Sequence, residues 1–282
     1  MPPYVVRLST CNLNQWALDF EGNLSRVLAS ITAAKAQGSR FRTGPELELT
    51  GYGCEDHFLE SDTTAHAWES LAALLEGDAT RDFLVDVGLP LRHCGVLYNA
   101  RAFCLNGRVL LLRPKMSLAE DGNYREGRYF SPWNRARGLE AFTMPACVAC
   151  LPAAQARCPI GFAALRLRDG VLGAETCEEL FTPDPPHIQL LLSGCDVIVN
   201  GSGSHHQLRK LNTRVELMQG ATDKVGGAYL YANQRGCDGG RLYYDGCAMI
   251  MANGACLAQG EQFGLRDVEV LTAGVDLEAG RS

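Results

Sequence analysis

Three short apolar segments follow one another in the first half of the chain, FLVDVGLPL, VLYNARAFCL and RVLLLRP. Each is rich in Val, Leu or aromatic residues and bounded by turn residues, so each reads as a strand. Asn106-Gly107 joins the last two, and this pair supplies the positive φ at both central positions that a two-residue hairpin demands. A second hairpin is expected around Asp169-Gly170, between IGFAALRL and VLGAETC, and a third at Asn253-Gly254 inside LYYDGCAMIMANGACLAQG. Further strands are expected over Tyr4 to Cys11, through Arg40, Phe41 and Arg42, and at CDVIVN, AYLYANQ and VEVLTAGVDL. Helical spacing appears at Leu24, Val27, Leu28 and Ile31 before a stop at Gly38, over Thr63 to Leu75, and from about Leu208 to Lys224 through Leu211, Val215 and Met218. Alternating strands and helices with hairpins interspersed predict an α/β fold, a mixed sheet or two sheets covered by helices. Residues 115 to 158 hold no sustained period, and so long a loop in a compact domain is a functional candidate. No tandem repeat or flexible linker divides the sequence, so one domain is expected over 1–282.

Composition excludes several classes. The net charge is -6 and no basic run exceeds two or three residues, which argues against nucleic acid as a partner. MPPYVVRLST lacks the basic and long apolar regions of a signal peptide, and runs such as LLLSGCDVIV are too short to span a bilayer. A soluble, cytoplasmic chain with no membrane partner is expected. The 12 cysteines are irregularly spaced, and most read as small buried hydrophobes and not as disulfides. CVAC at 147 to 150, with Cys158 nearby, lacks the second ligand pair of a structural zinc site, so no metal is expected.

Chemistry is sought where strands end, because open α/β sheets place their sites there. Glu46 lies in GPELELTGYG, Lys115 directly follows LLLRP, and Cys177 directly follows VLGAET. Any one of these alone more often reads as a satisfied half-buried group. Lys115 is one of four lysines against 22 arginines, so a lysine here suggests a compact cation that arginine does not replace. Cys177 poses a problem, because the adjacent Glu178 and Glu179 are expected to raise its pKa and suppress the thiolate. A base and a cation from elsewhere would resolve it. Glu46 can accept the thiol proton, and Lys115 can stabilise first the thiolate and then an oxyanion, aided by the Glu178 N–H. His205-His206 is a poor two-ligand metal site, since adjacent side chains point apart, and a weaker candidate base, since Glu46 already fills that role. GSGSHH lacks the Gly-Lys-Ser/Thr ending of a phosphate loop.

GPELELTGYG, RPKM and GAETCEEL, in this order, resemble the Glu-Lys-Cys triad of the nitrilase (carbon-nitrogen hydrolase) superfamily. NQWALDFEGN, GPELELTGYGC, RPKMSLAEDGNYRE, CEELFTP, NGSGSHHQLRK, ANQRGCDGGRLYYDGCAMI and AQGEQF narrow the similarity to the glutaminase domains of eukaryotic-type glutamine-dependent NAD synthetases. It runs over nearly the whole chain and is weakest at residues 138 to 170. The resemblance implies a four-layer α-β-β-α sandwich and hydrolysis of L-glutamine to glutamate and ammonia through a thioester on Cys177. It implies Glu46 as proton acceptor, Lys115 as stabiliser of the tetrahedral intermediate and Glu126 as a second glutamate beside the lysine. It further implies a glutamine pocket lined by Tyr52, Tyr124, Glu178, Phe181 and Ser204, with a cation from Arg209 or Lys210.

The sequence holds no SGG-x-D-S loop of an ATP-using synthetase domain, so no cofactor is expected for the glutaminase domain itself. The implied partners are L-glutamine, an NAD synthetase domain or full-length subunits, and further copies in a homo-oligomer. Two other readings are a catalytically weak short form that assembles with full-length synthetase, and a free-standing amidase. The CEELF and SGSHH blocks argue against the free-standing amidase. Thr176, polar on the strand that leads to Cys177, departs from the apolar residue expected there.

Overall fold

The computed structural model describes residues 5–135, 138–237 and 239–279. In its first half it contains β1 (Val5–Leu13), α1 (Phe20–Ala36), β2 (Phe41–Thr43), α2 (Ser61–Glu76), β3 (Leu84–His93), β4 (Val96–Leu105) and β5 (Arg108–Pro114). A middle region follows with β6 (Leu139–Thr143), the one-turn α3 (Ala146–Ala149), β7 (Arg157–Gly161) and β8 (Leu165–Arg166). The second half has β9 (Val171–Thr176), α4 (Pro186–Leu192), β10 (Val197–Ser202), α5 (Lys210–Asp223) and β11 (Ala228–Cys237). It ends with β12 (Tyr243–Asp245), β13 (Met249–Ala252), β14 (Ala255–Gln259) and β15 (Val268–Asp276). Tyr4, the expected start of the first strand, lies outside the described residues, as do residues 1–3 and 280–282 of the expected domain.

The sheet forks at β1. One edge of β1 pairs with antiparallel β15 along its whole length. On the other edge, Leu8 and Ser9 pair with parallel β2, whereas Asn12 and Leu13 pair with parallel β11. The first branch continues through β3, β4, β5, β7 and β6, and the second through β10, β9 and β8. The period-two alternation of the strands then builds four layers. Leu84 and Phe103 of the first branch face Leu172, Val197, Val199 and Leu230 of the second in one shared core. The opposite faces take helices: Val85, Val87 and Leu89 pack with Val27 and Ile31 of α1 and Leu71 and Leu75 of α2. Ile198, Tyr229 and Tyr231 pack with Leu190 and Leu191 of α4 and Met218 of α5. This is the α-β-β-α sandwich.

Asn106 and Gly107 adopt φ of 50° and 72° between β4 and β5, as their hairpin pattern predicts. Asn253 and Gly254 do the same between β13 and β14. Two expectations fail in part. Only Leu165 and Arg166 of IGFAALRL pair with β9, because Ile160 belongs to β7, which pairs with β5 and β6. Leu208 does not set the last helix, being 89% exposed, and Arg209 at φ 68° delays the helix start to Lys210. No helix among the described residues is long and apolar enough to cross a membrane.

Candidate active site

The two branches carry their polar residues to one end of the shared core. There the inner row of β3 and β4 changes from apolar to charged, and Arg101 pairs with Asp86 at 2.8 Å, both fully buried. The Arg101 guanidinium also donates to the Gly44 carbonyl at 2.7 Å and lies against Gly201 of β10, where a Cβ would collide with it. Arg42 and Glu48 form a second buried pair at 2.7 Å. These ion pairs tie the turn after β2 to the strand ends, and Glu46 sits on that turn.

Glu46 is held from three sides. Its N–H donates to Ser202 O at 3.3 Å, and its carbonyl accepts from Gln234 Nε2 at 2.8 Å. Its Oε1 accepts from Asn99 Nδ2 at 2.7 Å and from Lys115 Nζ at 2.6 Å, and its Oε2 accepts from the Gly203 N–H at 3.1 Å. Lys115 follows β5 and is anchored through its N–H to Asn99 O and through its carbonyl to the Trp133 N–H, both at 2.8 Å. Its Nζ also donates to Glu126 Oε1 at 2.7 Å. Glu126 accepts from Tyr52 Oη at 2.5 Å and from the Ala119 N–H at 3.0 Å. One ammonium thus bridges two carboxylates in a fully buried setting.

Cys177 follows β9, is 3% exposed and has a φ of 44°. Thr176, unexpected in its polarity, is buried opposite Gly201 of β10, and its N–H donates to Glu179 Oε2 at 2.7 Å. The thiol is pushed up, by burial first and then by the charge of Glu46, while Lys115 and Lys210 pull it down. The neighbouring glutamates are not the main cause. Glu179 turns away to Arg113 Nη1 at 2.6 Å and to the Met116 N–H at 2.5 Å. Burial pushes the Glu46 carboxyl up to about 7 against the pull of Lys115. Burial opposes the charge of Lys115, but Glu126 and Glu46 outweigh it and hold the ammonium above its ordinary range. The resting arrangement is therefore a neutral thiol within the field of a weakly acidic Glu46 and a firmly charged Lys115.

Aromatic residues wall the same space. Tyr52 and Tyr124 meet edge to face at 6.0 Å, and Tyr124 Oη donates to Gly203 O and accepts from the His205 N–H, each at 3.1 Å. Lys210 Nζ lies 5.3 Å from the Tyr124 ring centre and 5.8 Å from that of Phe181. Arg209 is exposed, so Lys210 is the cation of the two that turns inward. Glu178 is half-buried, and burial raises its pKa. Ser204 is buried, its N–H held by Asn233 Oδ1 at 2.8 Å. His205 stacks edge-on against Tyr124, and burial lowers its pKa to about 4. Sequence reasoning missed Asn99, Asn200 and Gln234. Asn99 interrupts an apolar strand, and Asn200 nears the exit of another, so both carried the signal that picked out Glu46.

Among the described residues one cluster has metal-ligand types in proximity, His93, Cys94 and Glu140, with ligand atoms within 4.8 Å of one another. Its carboxylate is already matched by His93 Nε2 at 2.8 Å and Arg135 Nη1 at 3.0 Å, so ion pairing accounts for it. Cys158 is buried in the outer core and donates to Val109 O at 3.4 Å, as a small core thiol does.

The family model for carbon-nitrogen hydrolases matches residues 7–282. The chain is 57% identical over 278 residues to the glutamine-dependent NAD(+) synthetase of Dictyostelium discoideum, covering 98% of this chain and 39% of that protein. It is 56% identical over 277 residues to the enzyme of that name from Homo sapiens, with the same coverage. The chain thus spans about two fifths of the length of these relatives. The crystal structure of a glutamine-dependent NAD(+) synthetase from Cytophaga hutchinsonii superposes with a TM-score of 0.85 at 28% identity, covering 96% of this chain and 43% of that one. An amidase of the nitrilase superfamily from Nesterenkonia shares the fold, with a TM-score of 0.75 at 16% identity and coverage of 97% and 93%. By the family match over nearly its whole length and by these identities, the chain belongs to the carbon-nitrogen hydrolase family.

Proposed function

We propose that this chain hydrolyses the side-chain amide of L-glutamine, releasing glutamate and ammonia through a thioester on Cys177. The observation that carries the reading is the buried Lys115 ammonium, which bridges Glu46 and Glu126 and acts on the Cys177 thiol. Glu46 takes the thiol proton as sulfur attacks the amide carbon. Negative charge then develops on the amide oxygen, and Lys115 and the Glu178 N–H stabilise it. Collapse of the tetrahedral intermediate expels ammonia, with Glu46 returning the proton. Water, deprotonated by Glu46, then cleaves the thioester. Glu126 and Tyr52 hold the lysine in place. Tyr124, Phe181, Ser204, Glu178 and Lys210 bind the substrate, Glu178 facing its α-ammonium and Lys210 its α-carboxylate.

Ammonia is protonated quickly in water, so the product is used in a shielded setting. The names and greater length of the relatives support a synthetase region, in the same polypeptide or in a partner, as the consumer. Residues 1–282 then act as one glutaminase unit within a homo-oligomer.

The test is release of glutamate and ammonia from L-glutamine as a function of pH. Glu46 must begin ionised, and burial pushes its carboxyl up to about 7. The value of kcat/KM is expected to fall as pH drops through 7, about tenfold per unit below it. No release of glutamate at any pH, with or without an added synthetase partner, would refute the proposal.

A further inference from the structure

Cys177 occupies a left-handed φ that a residue with a Cβ adopts only when its surroundings hold it there. A buried polar chain provides the hold. Asn200 Oδ1 accepts from the Cys177 N–H at 2.9 Å and from Ser202 Oγ at 2.9 Å. On its other side Asn200 Nδ2 donates to Tyr229 Oη at 2.9 Å, and Tyr229 Oη donates to Glu175 Oε2 at 2.7 Å. Glu175 Oε1 closes the chain, accepting from the His187 N–H at 2.5 Å and facing His187 Nδ1 at 2.9 Å. Glu175, Asn200 and Tyr229 have no exposed surface.

The chain has a direction. A tyrosine hydroxyl carries one proton, and here the Glu175 carboxylate takes it. The Tyr229 oxygen is then left to accept, so Asn200 must present its NH₂ group to it. This turns the Asn200 carbonyl oxygen towards the Cys177 N–H. The reverse amide orientation would set donor against donor at Cys177 and leave a buried N–H unsatisfied. The same contact commits the Cys177 N–H, so it is not a free oxyanion donor.

We propose that Asn200 is a positioning residue that holds the Cys177 backbone in its reactive conformation, and that Glu175, acting through Tyr229, fixes the orientation of the Asn200 amide. The inference rests on Cys177 being the nucleophile, but it needs no assumption about the substrate. Alkylation of Cys177 by iodoacetamide therefore tests it independently of glutamine turnover. Glu175→Gln supplies a donor where only an acceptor stood, which reverses the relay. Tyr229→Phe cuts it while keeping the ring. Each variant is expected to lower both the Cys177 alkylation rate and kcat by roughly 10²-fold, with KM for glutamine nearly unchanged. The double variant is expected to be no slower than the slower single one, because once the hydroxyl is gone Glu175 no longer reaches Asn200. Should Glu175→Gln fail to fold, Asn200→Asp joins Tyr229→Phe. It keeps an acceptor for the Cys177 N–H, loses the donor to Tyr229 and adds a charge that shifts the alkylation profile to higher pH. Folded single variants that alkylate at the parent rate, or effects that multiply in the double variant, would overturn the proposal. Alkylation that follows the expected pattern in a chain inert towards glutamine would uphold the relay and reject only the substrate.

Discussion

Replacing Cys177 by alanine is expected to abolish release of ammonia from L-glutamine, lowering kcat by at least ~10⁴-fold, while the protein keeps its fold. The side chain is buried and small, so removing its sulfur leaves only a minor cavity, costing about 1–2 kcal/mol. The left-handed backbone is no harder for alanine to adopt than for cysteine, since both carry a single unbranched Cβ, and the N–H contact with Asn200 does not involve the side chain. Catalysis has no such tolerance. Lys115 can still polarise a bound amide and Glu46 can still accept a proton, but without sulfur no thioester forms and water, a far weaker nucleophile, must attack the amide itself. A coupled ammonia assay alongside thermal unfolding separates the two effects. Residual turnover within tenfold of the parent would mean that another nucleophile operates.

Lys115→Arg is the second large effect, with kcat expected to fall by roughly 10³-fold although the charge is kept. A compact ammonium reaches Glu46 at 2.6 Å and Glu126 at 2.7 Å from one nitrogen and still has a proton to direct at a developing oxyanion. A guanidinium is planar and wider, and Lys115 has no exposed surface where it sits between two buried carboxylates. One oxyanion donor contributes about 3–4 kcal/mol to a transition state, which sets the expected loss. Lys115→Ala is a poorer probe. It strands two buried carboxylates and is expected to destabilise the fold by about 3–5 kcal/mol, mixing stability with chemistry. Normal turnover in the arginine variant, measured where it remains folded, would exclude the oxyanion role.

The hairpins were legible because Asn-Gly turns act locally. Their φ values depend on two residues, whatever the rest of the chain does. The strand exits at Glu46, Lys115 and Cys177 were legible for a related reason, since an abrupt change from apolar to polar marks where a buried strand ends. Pairing between distant segments leaves no such mark. Nothing in IGFAALRL tells Ile160 to join Leu112 of β5 while Leu165 turns back to β9. The setting of the thiol was misread for the same reason. Sequence adjacency pointed to Glu178 and Glu179, whereas burial dominates, followed by Glu46 from a turn on the other branch. The relay from Cys177 through Asn200 and Tyr229 to Glu175 joins β9, β10 and β11, and only their parallel register makes it visible.

The central claim is that the sulfur of Cys177 is the group driven onto the substrate carbon by Glu46 and Lys115. The most direct measurement is incubation with a chloroketone analogue of glutamine, followed by peptide mass mapping. The account predicts one adduct per chain, on Cys177, whose formation excess L-glutamine slows. Labelling at any of the other 11 cysteines in preference to Cys177, or no labelling at all, would contradict it.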